Sequence, residues 1–131
     1  MPRTIQEISI LLFEQTVYIQ IEKDLLKLLH VQSGSTATVQ GAFSNPRLAI
    51  AHFKVAEQAL KKGIDEVYPK SFFRVSPVVI MHQTVNCDGG LCEIEDRILR
   101  EAALSCGARQ VYIWQGQPLT MGQLENKVYK N

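Results

Sequence analysis

Cysteine, net charge and long apolar runs are all in short supply in this sequence, and each shortage excludes a class of protein. Three cysteines in 131 residues are an odd number and too few for a disulfide scaffold, so the thiols are expected to stay free in a reducing compartment. A formal net charge of +1 offers no electrostatic reason to expect nucleic acid or an anionic membrane surface as partner. The opening MPRTIQEISILLF carries one Arg and a short apolar run, but Glu7 interrupts it and Glu14 follows it. Neither a secretory signal nor a membrane span is supported, and the expected location is the cytoplasm. No internal repeat, low-complexity tract or interdomain linker is found. What remains, 46% hydrophobic and 21% charged residues, is the balance of an ordinary globular protein, long enough to bury a core and short enough for residues 1–131 to form one domain.

Residues 8–13, ISILLF, and 16–22, TVYIQIE, are rich in β-branched and aromatic side chains and read as two strands joined by a tight turn at Glu14-Gln15. The run 25–31, LLKLLHV, has helix-favouring Leu and Lys, yet its place after a hairpin suggests a third strand; strand and helix both stay open. Residues 32–46 have a loop composition with room for a short extended piece at 37–39. From Pro46 to Lys62 the period changes: Leu48, Ala51, His52 or Phe53, Val55, Ala59 and Leu60 recur at three- and four-residue spacing. Ser44 or Asn45 suits the cap, Pro46 the first turn and Gly63 the stop, so a helix is expected there. PVVIM at 77–81 reads as a strand covered on both faces. A helix over 93–105, with Ile94, Ile98, Ala102 and Leu104 or Ser105 inward, ends at Gly107. A buried-type strand at 111–114 and a last helix over 120–130 complete the chain. The order βββαβαβα predicts an α/β fold, a mixed five-stranded sheet with helices on its faces.

That order is the one of ribonuclease H-like domains and of each half of the actin, Hsp70 and sugar kinase superfamily. Segment 94–118, IEDRILREAALSCGARQVYIWQGQP, resembles the stretch of the MreB-type actin-like ATPases that runs V-E-R-R-A-I-x-E-A-A-x-x-A-G-A-R-x-V-x-L-I-E-E-P, most specifically at GARQVYI. PVVIM and ISILLFEQTVYIQI resemble that family's preceding strand and first hairpin. The resemblance implies a ribonuclease H-like half-domain, with Glu95 at the position that orients the attacking water. It also implies an Asp-x-Gly-Thr in the first hairpin for metal and phosphates, where Leu11 stands for the Asp and Phe13 for the Gly. A Leu cannot help hold a magnesium shell, and a Phe blocks backbone approach. Complete members add a second half that closes the nucleotide cleft, so classical ATP hydrolysis is not expected of this half alone. Mg-ATP stays an alternative ligand if dimerisation completes the cleft.

The stretch NCDGGLCEIEDR at 86–97 carries the remaining chemistry. His82, Cys87 and Cys92, with Cys106 beyond the helix, form a conceivable metal set. Structural zinc sites space their cysteines more tightly, so no metal is expected and small packed side chains are the competing explanation. A Cys87–Cys92 disulfide is sterically possible and stays open. Asp88, Gly89 and Gly90 offer backbone N–H groups that could cradle an anion. Against this, Asp88, Glu93, Glu95 and Asp96 complement the helix dipole themselves and point to a self-capped helix start. A ribonuclease H-type nuclease would need several converging carboxylates, for which Glu14, Glu57 and Asp88 are the candidates. His30, His52 and His82 have no nucleophile elbow to serve. The pair Phe72-Phe73 and the free sheet edges are the features expected to meet a protein partner. The expected function is a non-catalytic assembly or adaptor module that self-associates as a homodimer or larger assembly. The alternatives are a nucleotide-binding protein and a metal-dependent nuclease.

Overall fold

The computed structural model describes residues 14–70 and 74–130. β1 (Thr16–Glu22) alternates Val17, Ile19 and Ile21 on one face with Tyr18 and Gln20 on the other. It pairs antiparallel with β2 (Leu25–His30) along Val17–Glu22 and parallel with β4 (Val78–Gln83) along Thr16–Ile21. Both edges of β1 are therefore taken, and its hairpin partner is β2 rather than 8–13; the strand expected at 8–13 lies outside the described residues. The turn is Lys23-Asp24, with Asp24 in the left-handed region at φ 52°. Asp24 Oδ1 accepts both the backbone N–H and the hydroxyl of Ser44, at 2.8 and 2.6 Å, and these bonds hold its carboxyl below the ordinary value.

The ambiguous run at 25–31 is a strand because its Leu26, Leu28 and His30 point inward while Lys27 is exposed, a period of two that no helix could bury. The short extended piece grows into β3 (Thr36–Gln40). β5 (Gln110–Trp114) completes the order β3-β2-β1-β4-β5. The first three strands are antiparallel and β1, β4 and β5 are parallel, so the predicted mixed α/β sheet of ribonuclease H-like type is present. β4 is buried along its whole length, as its unbroken apolar run required. β5 departs from expectation: it is an edge strand, and only Val111 of its five residues is buried.

One face of the sheet is covered by α1 (Phe53–Val67) and α2 (Glu93–Ser105). The other is partly covered by α3 (Met121–Glu125) and a 3-10 turn (Val128–Lys130), through Leu119, Leu124 and Tyr129 against Tyr18 and Ile80. The last helix is thus much shorter than expected.

α1 starts seven residues later than Pro46, because Asn45 Oδ1 takes the N–H groups of Arg47 and Leu48 and folds 45–48 into a turn. Phe43, fully buried, then accepts the N–H groups of Ala51 and His52 on its carbonyl. Gly63 is no stop. It lies inside α1, where a Cβ would stand 2.6 Å from Leu28 Cδ1, so the glycine lets the helix approach the sheet. α2 spans the expected residues and turns Ala102 and Ile98 inward as expected, but Leu99 and Ala103 complete that face while Ile94 and Leu104 are exposed.

Candidate functional site

The carboxyl ends of β1, β4 and β5 form the edge at which α/β sheets gather ligands. Thr84 ties two of them together, its N–H and hydroxyl both donating to the Ile21 carbonyl at 2.9 and 3.0 Å. Beyond it, Asn86, Gly89 and Gly90 have φ of 52°, 80° and 91°, which coils the connection tightly before α2. Two concavities open there. One, of about 330 Å³, lies between loop 47–50 and the start of α2 and is lined by Arg47, Leu48, Gln83, Ile94, Glu95 and Ile98 among others. The second, of about 520 Å³, is lined by His82, Gln83, Thr84, Cys87, Gln115 and Gly116 among others. Gln83 borders both.

Glu95 sits at the third position of α2. Its Oε1 accepts the backbone N–H of Cys92 at 3.2 Å, and Gln83 Nε2 approaches its Oε2 at 3.4 Å. The Cys92 N–H foremost, with the Cys92 thiol and Gln83 amide, holds this carboxyl below its ordinary value despite partial burial. The carboxylate is occupied as a helix cap. In the Asp88–Gly90 turn, Gly90 N–H donates to the Cys87 carbonyl at 2.9 Å and Leu91 N–H to Gln115 Oε1 at 3.0 Å. Asp88 itself is exposed.

Leu11 and Phe13 lie outside the described residues; the first described hairpin is β1–β2, where the end of β1 and its turn read Gln20-Ile21-Glu22-Lys23. Gln20 is half-buried, with no carboxylate to offer, and Glu22 pairs with Lys27 at 3.0 Å.

His82 serves the fold. Tyr18 Oη donates to its Nδ1 at 2.7 Å, and its Nε2–H donates to the Gly116 carbonyl at 2.9 Å. Leu119 N–H in turn donates to Tyr18 Oη at 3.1 Å. Burial pushes the His82 pKa down, in keeping with a neutral ring whose Nδ1 is an acceptor. His30 is held alike, between Gln15 and Ser33 and stacked 4.7 Å from the Tyr68 ring. His52 is the N-cap residue of α1.

Cys87 lines the second cavity and Cys92 the first, both as free thiols. Among the described residues no three His, Cys, Asp or Glu side chains are grouped so as to hold a metal ion. Cys106 lies by α1, its thiol facing the Glu57 carbonyl at 3.5 Å. Of the nuclease candidates, Glu14 stands at the amino end of β1 amid Arg109, Lys127 and Lys130, at the opposite end of the sheet from Asp88. Phe72 and Phe73 lie outside the described residues. Sequence reasoning missed Tyr18, Gln83, Arg47 and Gln115; a Gln closing the apolar run of β4 was the one available signal.

No protein-family model matches the chain. It is 33% identical over 91 residues to the uncharacterized protein YjaA of Escherichia coli, covering 65% of this chain and 71% of that protein. The chain belongs to the YjaA family. A 64-residue stretch, 49% of this YjaA-family chain, is also 39% identical to the cell shape-determining protein MreB of Escherichia coli and 38% identical to that of Pasteurella multocida. It spans 17% of the length of either. The YjaA-family chain is therefore related to actin-like proteins over about half its length, and no helix among its described residues is long and apolar enough to cross a membrane.

Proposed function

We propose that this chain is a non-catalytic assembly or adaptor module of actin-like descent, a single domain of residues 1–131 that works in the cytoplasm through protein contacts and self-association. One observation carries the reading: at the ligand edge of the sheet, the end of β1 carries Gln20-Ile21-Glu22-Lys23 and no Asp-x-Gly-Thr. With β1–β2 taken as the counterpart of the family's first hairpin, Gln20 replaces the metal-organising Asp and Glu22 and Lys23 the Gly-Thr turn, and Glu95 is spent on capping α2. A Glu at the Gly position presents a side chain and a negative charge where backbone must approach phosphates. The exposed Ile94 beside the half-exposed Leu48 gives that edge an apolar rim suited to a protein surface.

The test is thermal unfolding with millimolar ATP or GTP and magnesium. Binding to the folded state alone raises Tm by mass action. The expected result is an unchanged Tm; a rise that grows with nucleotide concentration would overturn the proposal in favour of a nucleotide-binding protein using Glu95 and Asp88–Gly90.

A further inference from the structure

We propose that the outer edge of β5 is the surface through which two copies of this chain pair, forming one continuous sheet across a two-fold axis at Tyr112. The inference rests on the self-association reading above and specifies its interface. β5 ends the sheet and has no further strand beside it among the described residues. The direction of its backbone groups can be read from its neighbours. Val78 N–H donates to Gln15 and Thr84 N–H to Ile21, so the even residues of β4 face β1 and the odd ones face β5. On β5, Arg100 Nη1 reaches the Val111 carbonyl at 3.1 Å from the side of α2, which marks Val111, and with it Ile113, as the residues whose backbone groups point away from β4.

Two such edges are self-complementary. With the axis at Tyr112 in an antiparallel pair, Val111 of each copy lies opposite Ile113 of the other, and the two exchange both backbone hydrogen bonds. Val111 and Ile113 then adjoin their counterparts on the α2 face. Tyr112 meets Tyr112, and Trp114 meets Gln110, on the opposite face. Tyr112, Ile113 and Trp114 are all only half-buried in the single chain, so pairing removes apolar surface on both faces. The strand QVYIW has no charge and no proline, the devices by which edges are ordinarily guarded. The β3 edge, TATVQ, is mostly exposed Thr and Gln with Val39 alone buried, and has far less apolar surface to cover. Among the described residues Arg100 is the one guard on β5. Held by Asp96 at 2.6 Å, it occupies the Val111 carbonyl and must leave when the second copy arrives.

The experiment uses the full chain. Sedimentation is measured over a concentration series alongside amide hydrogen exchange at Val111 and Ile113, in the wild type, Ile113→Pro and Arg100→Ala. The proline removes an outward N–H that the β4–β5 ladder does not use and blocks approach, and should weaken the dimer by roughly tenfold or more. Arg100→Ala frees the carbonyl and should tighten it by about threefold or more. In the wild type, protection of the two amides should rise with protein concentration, a readout that stands even if the proline variant fails to fold. A chain that is monomeric at every concentration would overturn both this proposal and the self-association reading. A dimer whose Val111 and Ile113 amides exchange as fast as in the monomer, or that is indifferent to both variants, overturns the β5 interface alone. So does protection that appears only when a foreign extended peptide is added.

Discussion

Gly63→Ala is a sharp test of how this fold is packed, because two effects of known sign oppose each other there. In an exposed helix interior the change would stabilise by about 1 kcal/mol, since Ala costs less backbone entropy than Gly. At Gly63 the new Cβ would stand 2.6 and 2.8 Å from the two Cδ atoms of Leu28 and 3.2 Å from its Cγ, against an ordinary separation of about 3.5–4 Å. Leu28 is 2% exposed and packed in the core, so the helix must lift off β2 by something near 1 Å or the leucine must leave its rotamer. Overpacking of this kind costs about 1–3 kcal/mol. With three contacts violated we take the upper part of that range, which leaves a net loss of about 1–2 kcal/mol after the propensity gain. For a chain of this length that is a Tm lowered by about 3–8 °C. The assay is urea unfolding followed by far-UV circular dichroism, with the slope unchanged and the midpoint shifted. Leu28→Val removes the clashing Cδ atoms at a cost of about 1 kcal/mol, and in that background Gly63→Ala should become neutral or stabilising. The reversal of sign is the signature of direct contact. If Gly63→Ala stabilises the wild-type chain, or destabilises both backgrounds equally, the close approach of α1 to β2 is refuted.

Other perturbations follow from the buried polar groups. Tyr18→Phe leaves His82 Nδ1 and Leu119 N–H without their buried partner and should cost about 1–3 kcal/mol, with faster amide exchange at Leu119; unchanged exchange there would mean the network does not hold the C-terminal segment. Burial lowers the pKa of both His82 and His30, so between their folded values and about 6.5 the unfolded chain binds the protons that the folded chain refuses. Stability from this source is therefore full above about pH 6.5 and lost as pH falls below it. Urea midpoints at pH 7.5 and 5.5 should show the loss, and an equal loss in a His30→Gln, His82→Gln variant would assign it to other groups. Glu95→Ala removes the acceptor for Cys92 N–H at the start of α2 and should cost about 1 kcal/mol; a variant as stable as wild type would show that the carboxylate is not needed as a cap and is free for another role.

Local chemistry was legible wherever it alone decides the outcome. The unbroken apolar run of β4, the alternation in β1 and the acidic opening of α2 each name their element because period, propensity and dipole act over neighbouring residues. The order of strands and helices, and with it the mixed sheet, followed from them. Tertiary contact settled the rest. Gly63 reads as a helix stop until Leu28 is seen pressing on it, and Pro46 as a helix start until the Asn45 side chain closes a turn over it. That 16–22 pairs with both 25–30 and 78–83 could not be read from the sequence, because it depends on which strands share β1. Neither could the union of Tyr18, His82 and Leu119, which lie far apart in the chain and meet only when β4 is laid beside β1. The sequence by itself determined which segments extend or coil; the tertiary structure decided which edges were left unpaired among the described residues, because pairing is a contest among strands that no one strand encodes.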